Sequence, residues 1–192
     1  MIKIIKKILV NNQEYGNIIF ISGIPGSGKT TIANKLSKKI ENSVLINGDT
    51  IRDFVKNGYE SPARLISETT NKSLSQYNIS KDIQIYSAVL YAKQGYTVIV
   101  DDCLFNNYFE KYFKKKLKKL KYIKILIHPD LSQSQSQNST RKCWNLRKEV
   151  LNETYKLMNS QNKDWSVINN TDMTVNETLN SALKIINNEK NS

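Results

Sequence analysis

Gly23-Ile24-Pro25-Gly26-Ser27-Gly28-Lys29-Thr30 fits the pattern G-x-x-x-x-G-K-[ST] without a mismatch. The pattern carries meaning only where a buried strand runs into it and a helix leaves it. Both flanks are present: the apolar run Asn17-Ile18-Ile19-Phe20-Ile21-Ser22 precedes it, and Ile32, Ala33, Leu36 and Ile40 follow on one helical stripe. In such a loop Gly26 and Gly28 let the backbone curl until successive N–H groups converge on phosphate oxygens, with the positive end of the next helix behind them. Gly23, Pro25 and Ser27 belong to the same cradle. Lys29 is expected to reach the β- and γ-phosphates of a nucleoside triphosphate. Thr30 is expected to place its hydroxyl on Mg²⁺, with Thr31 one step on as a second hydroxyl.

The rest of the composition narrows the class. A chain of 192 residues is long enough for one domain with a real core and a small mobile subregion. The two cysteines, Cys103 and Cys143, fit neither a disulfide framework nor a metal cluster, and the single histidine leaves transition-metal catalysis without ligands. A reducing, cytoplasmic setting is the expectation. No apolar run approaches the length of a membrane span, so no membrane partner is expected. Met1 to Val10 is too interrupted by lysine for a signal sequence, and residues 1–16 read as an appended strand or short arm.

The net charge of +12 raises the question of nucleic acid, and its distribution matters more than its size. Eight lysines lie between Lys111 and Lys124. Phe109, Tyr112, Phe113, Leu117 and Leu120 recur there at helical spacing, which puts the lysines on the outer face of a helix. That face is either solvated or a grip for a phosphodiester backbone. Arginine is scarcer and more informative: Arg52, Arg64, Arg141 and Arg147 stand against 25 lysines. A planar guanidinium forks onto phosphate as lysine cannot, which is a reason to keep arginine where geometry matters.

Along the chain, Ser43-Val44-Leu45-Ile46 reads as a short strand that ends in Asn47-Gly48-Asp49-Thr50-Ile51-Arg52-Asp53. In an open α/β sheet ligands bind beyond the carboxyl ends of strands, so Asp49 and Arg52 are expected to face the same cleft as the phosphate loop. Asp49 is a candidate general base, and it is also a favoured helix N-cap. Ser61-Pro62 signals a helix start running on through Leu65, Ile66 and Leu74, with Arg64 in its opening turn. Ser80 is read as opening another helix, closed by Gly95. Tyr96-Thr97-Val98-Ile99-Val100 is a strand ending in Asp101-Asp102. A carboxylate just past such a strand commonly holds a Mg²⁺-water shell, and Asp102 is favoured over Asp101.

Tyr122 to Ile127 is a fourth strand. The run Ser132 to Ser139, without an apolar anchor, is expected to be flexible or a weak helix. With Arg141 and Arg147 after it, residues 131–148 have the form of a closing lid that delivers arginines to phosphate. Trp165 to Ile168 reads as the last strand, and Thr174-Val175-Asn176-Glu177 is a capping box opening a terminal helix. Five strands alternating with helices, with no proline inside a strand, predict a parallel sheet covered on both faces, a three-layer α/β sandwich.

With these residues quoted, the chain resembles the P-loop kinases of the polynucleotide kinase, zeta toxin and adenylylsulfate kinase group over about Asn17 to Ile186. The likeness rests on GIPGSGKTT at Gly23 to Thr31, NGDTIRD at Asn47 to Asp53, VIVDD at Val98 to Asp102, and the arginine-bearing stretch before LRKEVLNETYKLM at Leu146 to Met158. GDTIR followed by SPAR at Ser61 to Arg64 looks like adenylylsulfate kinases, whereas VIVDD and the late helix look more like 5′-polynucleotide kinases. The resemblance implies that the aspartate at 49 is general base on the acceptor hydroxyl and that Arg52 helps hold the acceptor. The expected function is γ-phosphoryl transfer from ATP, with Mg²⁺, to an alcohol. The foremost acceptor is a nucleotide or the 5′-hydroxyl of a nucleic acid; the alternative is a small metabolite, sugar nucleotide or antibiotic. A nucleotide-dependent switch without an acceptor, and a basic binding module with a vestigial nucleotide site, are the competing classes. The Asp49/Arg52 pair speaks against both.

Overall fold

Ile18–Ser22 is buried along its whole length and forms the central strand, β1. A strand covered on both faces has to be apolar on both, and here successive side chains divide between two cores. Ile18 and Phe20 enter one, Ile19 and Ile21 the other. The computed structural model of the chain describes residues 14–140, 146–160 and 164–190. β1 is flanked by β3 (Thr97–Asp101) and β4 (Tyr122–Ile127), while β2 (Ser43–Asn47) and β5 (Ser166–Ile168) form the edges. The order is β2-β3-β1-β4-β5, and every pair is parallel.

Parallel neighbours need crossovers, and helices supply them on both faces. On one face helix Asn71–Lys93 contributes Ile85, Ala88 and Ala92. They pack with Phe109, Phe113 and Trp165, and the Phe109 ring stands edge-on to Phe20 with centroids 5.0 Å apart. On the other face α1 (Lys29–Lys39) and the terminal helix, Val175–Lys190, bring Ile32, Leu36, Leu179 and Ile186 against Ile19 and Ile21. The expected α/β sandwich is therefore the observed one. The terminal helix starts as its sequence predicts: the Thr174 amide donates to Glu177 Oε2 at 2.7 Å and the Glu177 amide to Thr174 Oγ1 at 3.3 Å.

Three local expectations need correction. Ser61-Pro62 opens only a turn and a short helix, Arg64–Ser67. The chain breaks at Glu68 and restarts at Thr70, whose hydroxyl accepts from the Ser73 amide while Ser73 Oγ accepts from the Thr70 amide. That reciprocal cap makes Asn71–Lys93 one 23-residue helix. Ser80 is consequently mid-helix and buried, its hydroxyl donating back to the Tyr77 carbonyl at 2.7 Å, and is no cap. The lysine-rich segment is helical only as Asn106–Tyr108, a π-helical turn at Phe109–Phe113, and Lys114–Leu117. Lys118 adopts a left-handed φ of 49° and ends it.

Lys118, Lys119 and Lys121 thus sit in the turn that enters β4 at Tyr122. Ile18 pairs with Tyr122 and Val98, so this is the amino-terminal edge of the sheet. The phosphate loop leaves the opposite edge, a strand length or roughly 17–20 Å away. Of the other lysines, Lys116 pairs with Asp82, Lys114 with Glu110, and Lys124 is largely buried beside Phe109 and Trp165. No helix among the described residues is long and apolar enough to cross a membrane.

Candidate active site

β1 ends at Ser22 and the chain turns through residues 23–28 into Lys29–Lys39. Gly26 and Gly28 have φ of 84° and 90°, left-handed values that a side chain disfavours, and Gly28 is the N-cap of the helix. The first helical turn contains no acidic residue, so its free amides keep their full positive potential for an anion. Ser27 Oγ is buried without a hydrogen-bonding partner among the described residues. Leu131–Ser139, expected to be flexible or a weak helix, is a helix seated on the loop: a Cβ at Gly26 would collide with the Ser134 carbonyl oxygen. Ser134 and Asn138 are its buried contacts, and Asn138 Nδ2 donates to the Leu146 carbonyl at 2.9 Å.

The two aspartates after β3 have different surroundings. Asp101 accepts from Asn47 Nδ2 at 2.6 Å, while its Oδ1 is buried with no hydrogen-bonding partner among the described residues. Burial raises its pKa, against the pull of the Lys29 ammonium and the Thr30 hydroxyl. Asp102, favoured above as the Mg²⁺ ligand, is instead enclosed by donors. Arg52 Nη1 reaches both of its oxygens at 3.2 and 3.1 Å, Lys81 Nζ contacts Oδ2, Gln84 Nε2 donates to Oδ2 at 2.8 Å, and the Cys103 amide donates to Oδ1 at 2.7 Å. Burial opposes its charge, but Arg52 and Lys81 outweigh burial and hold the carboxyl well below the usual range.

An oxygen donor next to Thr30 and Lys29 that lacks a partner suits a hard cation; one saturated by two cations does not. The fit therefore passes from Asp102 to Asp101. Among the described residues no group of three His, Cys, Asp or Glu side chains forms a protein cage for a metal.

Gly48–Arg52 follows β2 as a single helical turn, capped by Asn47 Oδ1 accepting from the Thr50 amide at 2.9 Å. The cap is Asn47, so Asp49 is left for other work. Arg52 Nη2 contacts Asp49 and lies 3.2 Å from Asp102 Oδ1, so one guanidinium joins an enclosed carboxylate to one whose side chain is 42% exposed. Gly48 permits this, because a Cβ there would collide with the Asp102 carboxylate. Gly48→Ala is expected to destabilise the fold by about 1–3 kcal/mol through overpacking, read as a lower midpoint in thermal or urea unfolding.

Asp49, Arg52, Lys29 and Pro25 line one cleft. Its walls are otherwise largely apolar: Tyr59, Pro62, Leu65, Ile66, Phe105 and Leu146. The sequence reading thus brings together the phosphate loop, Asp49 and Arg52. Arg64 does not line this cleft; it is exposed and pairs with Glu60 at 3.5 Å. Arg147 is exposed at the start of Lys148–Ser160, and Arg141 lies outside the described residues. Sequence reasoning missed Lys81 and Gln84. Their signal was legible: Lys81 falls on the same helical stripe as Ile85, Ala88 and Ala92, where a charge is out of place unless paired.

A phosphate loop at the carboxyl edge of this parallel sheet, with an Asp/Arg turn across the cleft, defines a P-loop kinase fold. The chain belongs to the zeta toxin family, whose model matches residues 3–140. No curated protein matches it in sequence. Among solved structures it is similar to thymidylate kinase from Candida albicans, at 19% identity and TM-score 0.67, over 92% of this chain and 93% of that one. It is also similar to a gluconokinase from Sinorhizobium meliloti 1021, at 11% identity and TM-score 0.63, over 94% and 97%. A chain of the Pnkp1/Rnl/Hen1 RNA repair complex aligns at 13% identity and TM-score 0.62, over 82% of this chain and 49% of that one. At such identities the likeness is one of fold.

Proposed function

We propose that the protein is an ATP- and Mg²⁺-dependent kinase that transfers the γ-phosphoryl group to a hydroxyl of a small-molecule acceptor. The observation that carries this reading is the shared cleft: Pro25 and Lys29 of the phosphate loop on one side, Asp49 held by Arg52 on the other. Asp49 takes the proton of the attacking hydroxyl as its oxygen bonds to phosphorus and the bond to the β-phosphate oxygen breaks, releasing ADP. Lys29 and the amides of residues 26–30 neutralise charge on the transferred group, and Arg52 orients Asp49 and the acceptor. Thr30 and Asp101 are the residues that would hold Mg²⁺, which supplies charge neutralisation at the phosphate oxygens. Catalysis of this kind is mostly positioning and electrostatics.

The small acceptor, rather than a polynucleotide, is supported by the position of Lys118, Lys119 and Lys121 at the far edge of the sheet and by the apolar walls around Asp49. The test is a screen with γ-labelled ATP against nucleosides, oligonucleotides and metabolite extracts. Label is expected in a small molecule. Labelled oligonucleotide, with affinity falling steeply as salt rises, would instead establish a nucleic-acid acceptor. Release of phosphate that no acceptor diverts would leave a nucleotide switch.

A further inference from the structure

Lys81 is 1% exposed, in the interior of Asn71–Lys93 and outside the phosphate-loop and Asp/Arg motifs. Its Nζ contacts Asp102 Oδ2 and stands 4.6 Å from the centre of the Tyr77 ring. Burial lowers its pKa, with Asp102 pulling the other way. A buried cation is a poor means of stabilisation, since a well-packed apolar residue commonly does as well. Its effect on charge is more specific. Arg52 alone would face two carboxylates, Asp102 and Asp49, and the enclosed Asp102 would compete for the whole guanidinium. With Lys81 present, two cations balance two carboxylates, and Arg52 Nη2 reaches Asp49 while it also lies 3.2 Å from Asp102 Oδ1.

We propose that Lys81 is a positioning residue for phosphoryl transfer: by sharing the charge of Asp102 with Arg52, it lets Nη2 of the guanidinium bridge from Asp102 to Asp49 at the acceptor side of the cleft. The proposal rests on the roles given above to Asp49 and Arg52. Gln84, donating to the same Asp102 oxygen from the next turn of the helix, completes the hold. Helix Asn71–Lys93 is thereby tied to the reaction although none of its charged side chains lines the cleft.

The test compares Lys81→Met, which keeps length and packing, with Lys81→Met/Asp102→Asn, which removes one charge of each sign. The rate is label transfer from γ-labelled ATP into a dilution series of a small-molecule extract. For Lys81→Met, kcat is expected to fall about 10- to 100-fold, the scale of small misplacements, with KM for ATP unchanged. The double variant is expected to regain thermal stability but not kcat, because Arg52 has lost its fork. It also replaces the single variant if that one fails to fold. Recovery of kcat along with stability, or a wild-type kcat in Lys81→Met, overturns the proposal. If the wild-type protein transfers no label, the kinase reading fails separately, and NMR of the Arg52 guanidinium decides. The chain has only four arginines, which makes assignment tractable. Resolved, hindered Nη resonances in the wild type that collapse or move in Lys81→Met support the proposal, and unchanged resonances overturn it.

Discussion

Asparagine in place of Asp49 is expected to lower kcat by about 10³-fold, within the range lost with a general base, while Mg·ATP binding is unchanged. The replacement is close in shape, and its amide oxygen still accepts from Arg52, but it has no basicity for the hydroxyl proton. The loss therefore belongs in kcat and not in ATP affinity, the pattern of an interaction made only in the transition state. Calorimetry with a non-hydrolysable ATP analogue reads the binding, and single-turnover label transfer reads the chemistry. The side chain's 42% exposure matters here, because a base must meet an incoming acceptor, and Asp102 at 2% cannot. Transfer at the wild-type rate would remove Asp49 from the mechanism.

The second large effect separates the neighbouring aspartates. Asp101→Asn is expected to raise the Mg²⁺ concentration for half-maximal transfer by about 10–100-fold. Asp102→Asn is expected to leave that concentration unchanged and to cost about 3–5 kcal/mol of stability, the penalty for breaking a buried pair from one side. The opposite charge balance explains the difference: Asp101 Oδ1 has no partner among the described residues, whereas both Asp102 oxygens are shared among Arg52, Lys81, Gln84 and a backbone amide. A magnesium titration of each variant, paired with thermal unfolding, gives both quantities. A shift in magnesium dependence at Asp102 and none at Asp101 would restore the preference the sequence alone favours.

The sheet was legible because its strands are short apolar runs with nothing to contradict them, from Ile18-Ile19-Phe20-Ile21 to Tyr122–Ile127. The phosphate loop was legible because its geometry admits few side chains. Helix Asn71–Lys93 was not, because its pattern is inverted near the site. Ser73, Ser80, Lys81 and Gln84 are buried, while Ile79, Tyr86 and Leu90 are exposed, so apolar periodicity mistakes where it begins and which face points inward. The choice between Asp101 and Asp102 was undecidable from spacing. Adjacent strand-end residues face opposite ways, and only the partners supplied by two distant helices distinguish them. The Ser132–Ser139 run looked unanchored because its contacts are polar and backbone-mediated, Ser134 and Asn138 against the loop and Leu146.

The most direct measurement is a crystal structure of the protein with Mg²⁺ and a non-hydrolysable ATP analogue. The triphosphate is expected on the amides of residues 26–30, with the terminal phosphate turned toward Asp49 across a gap that admits one hydroxyl oxygen, and the metal beside Thr30 and Asp101. A terminal phosphate directed away from Asp49, or a nucleotide seated elsewhere than on residues 23–30, would contradict that arrangement.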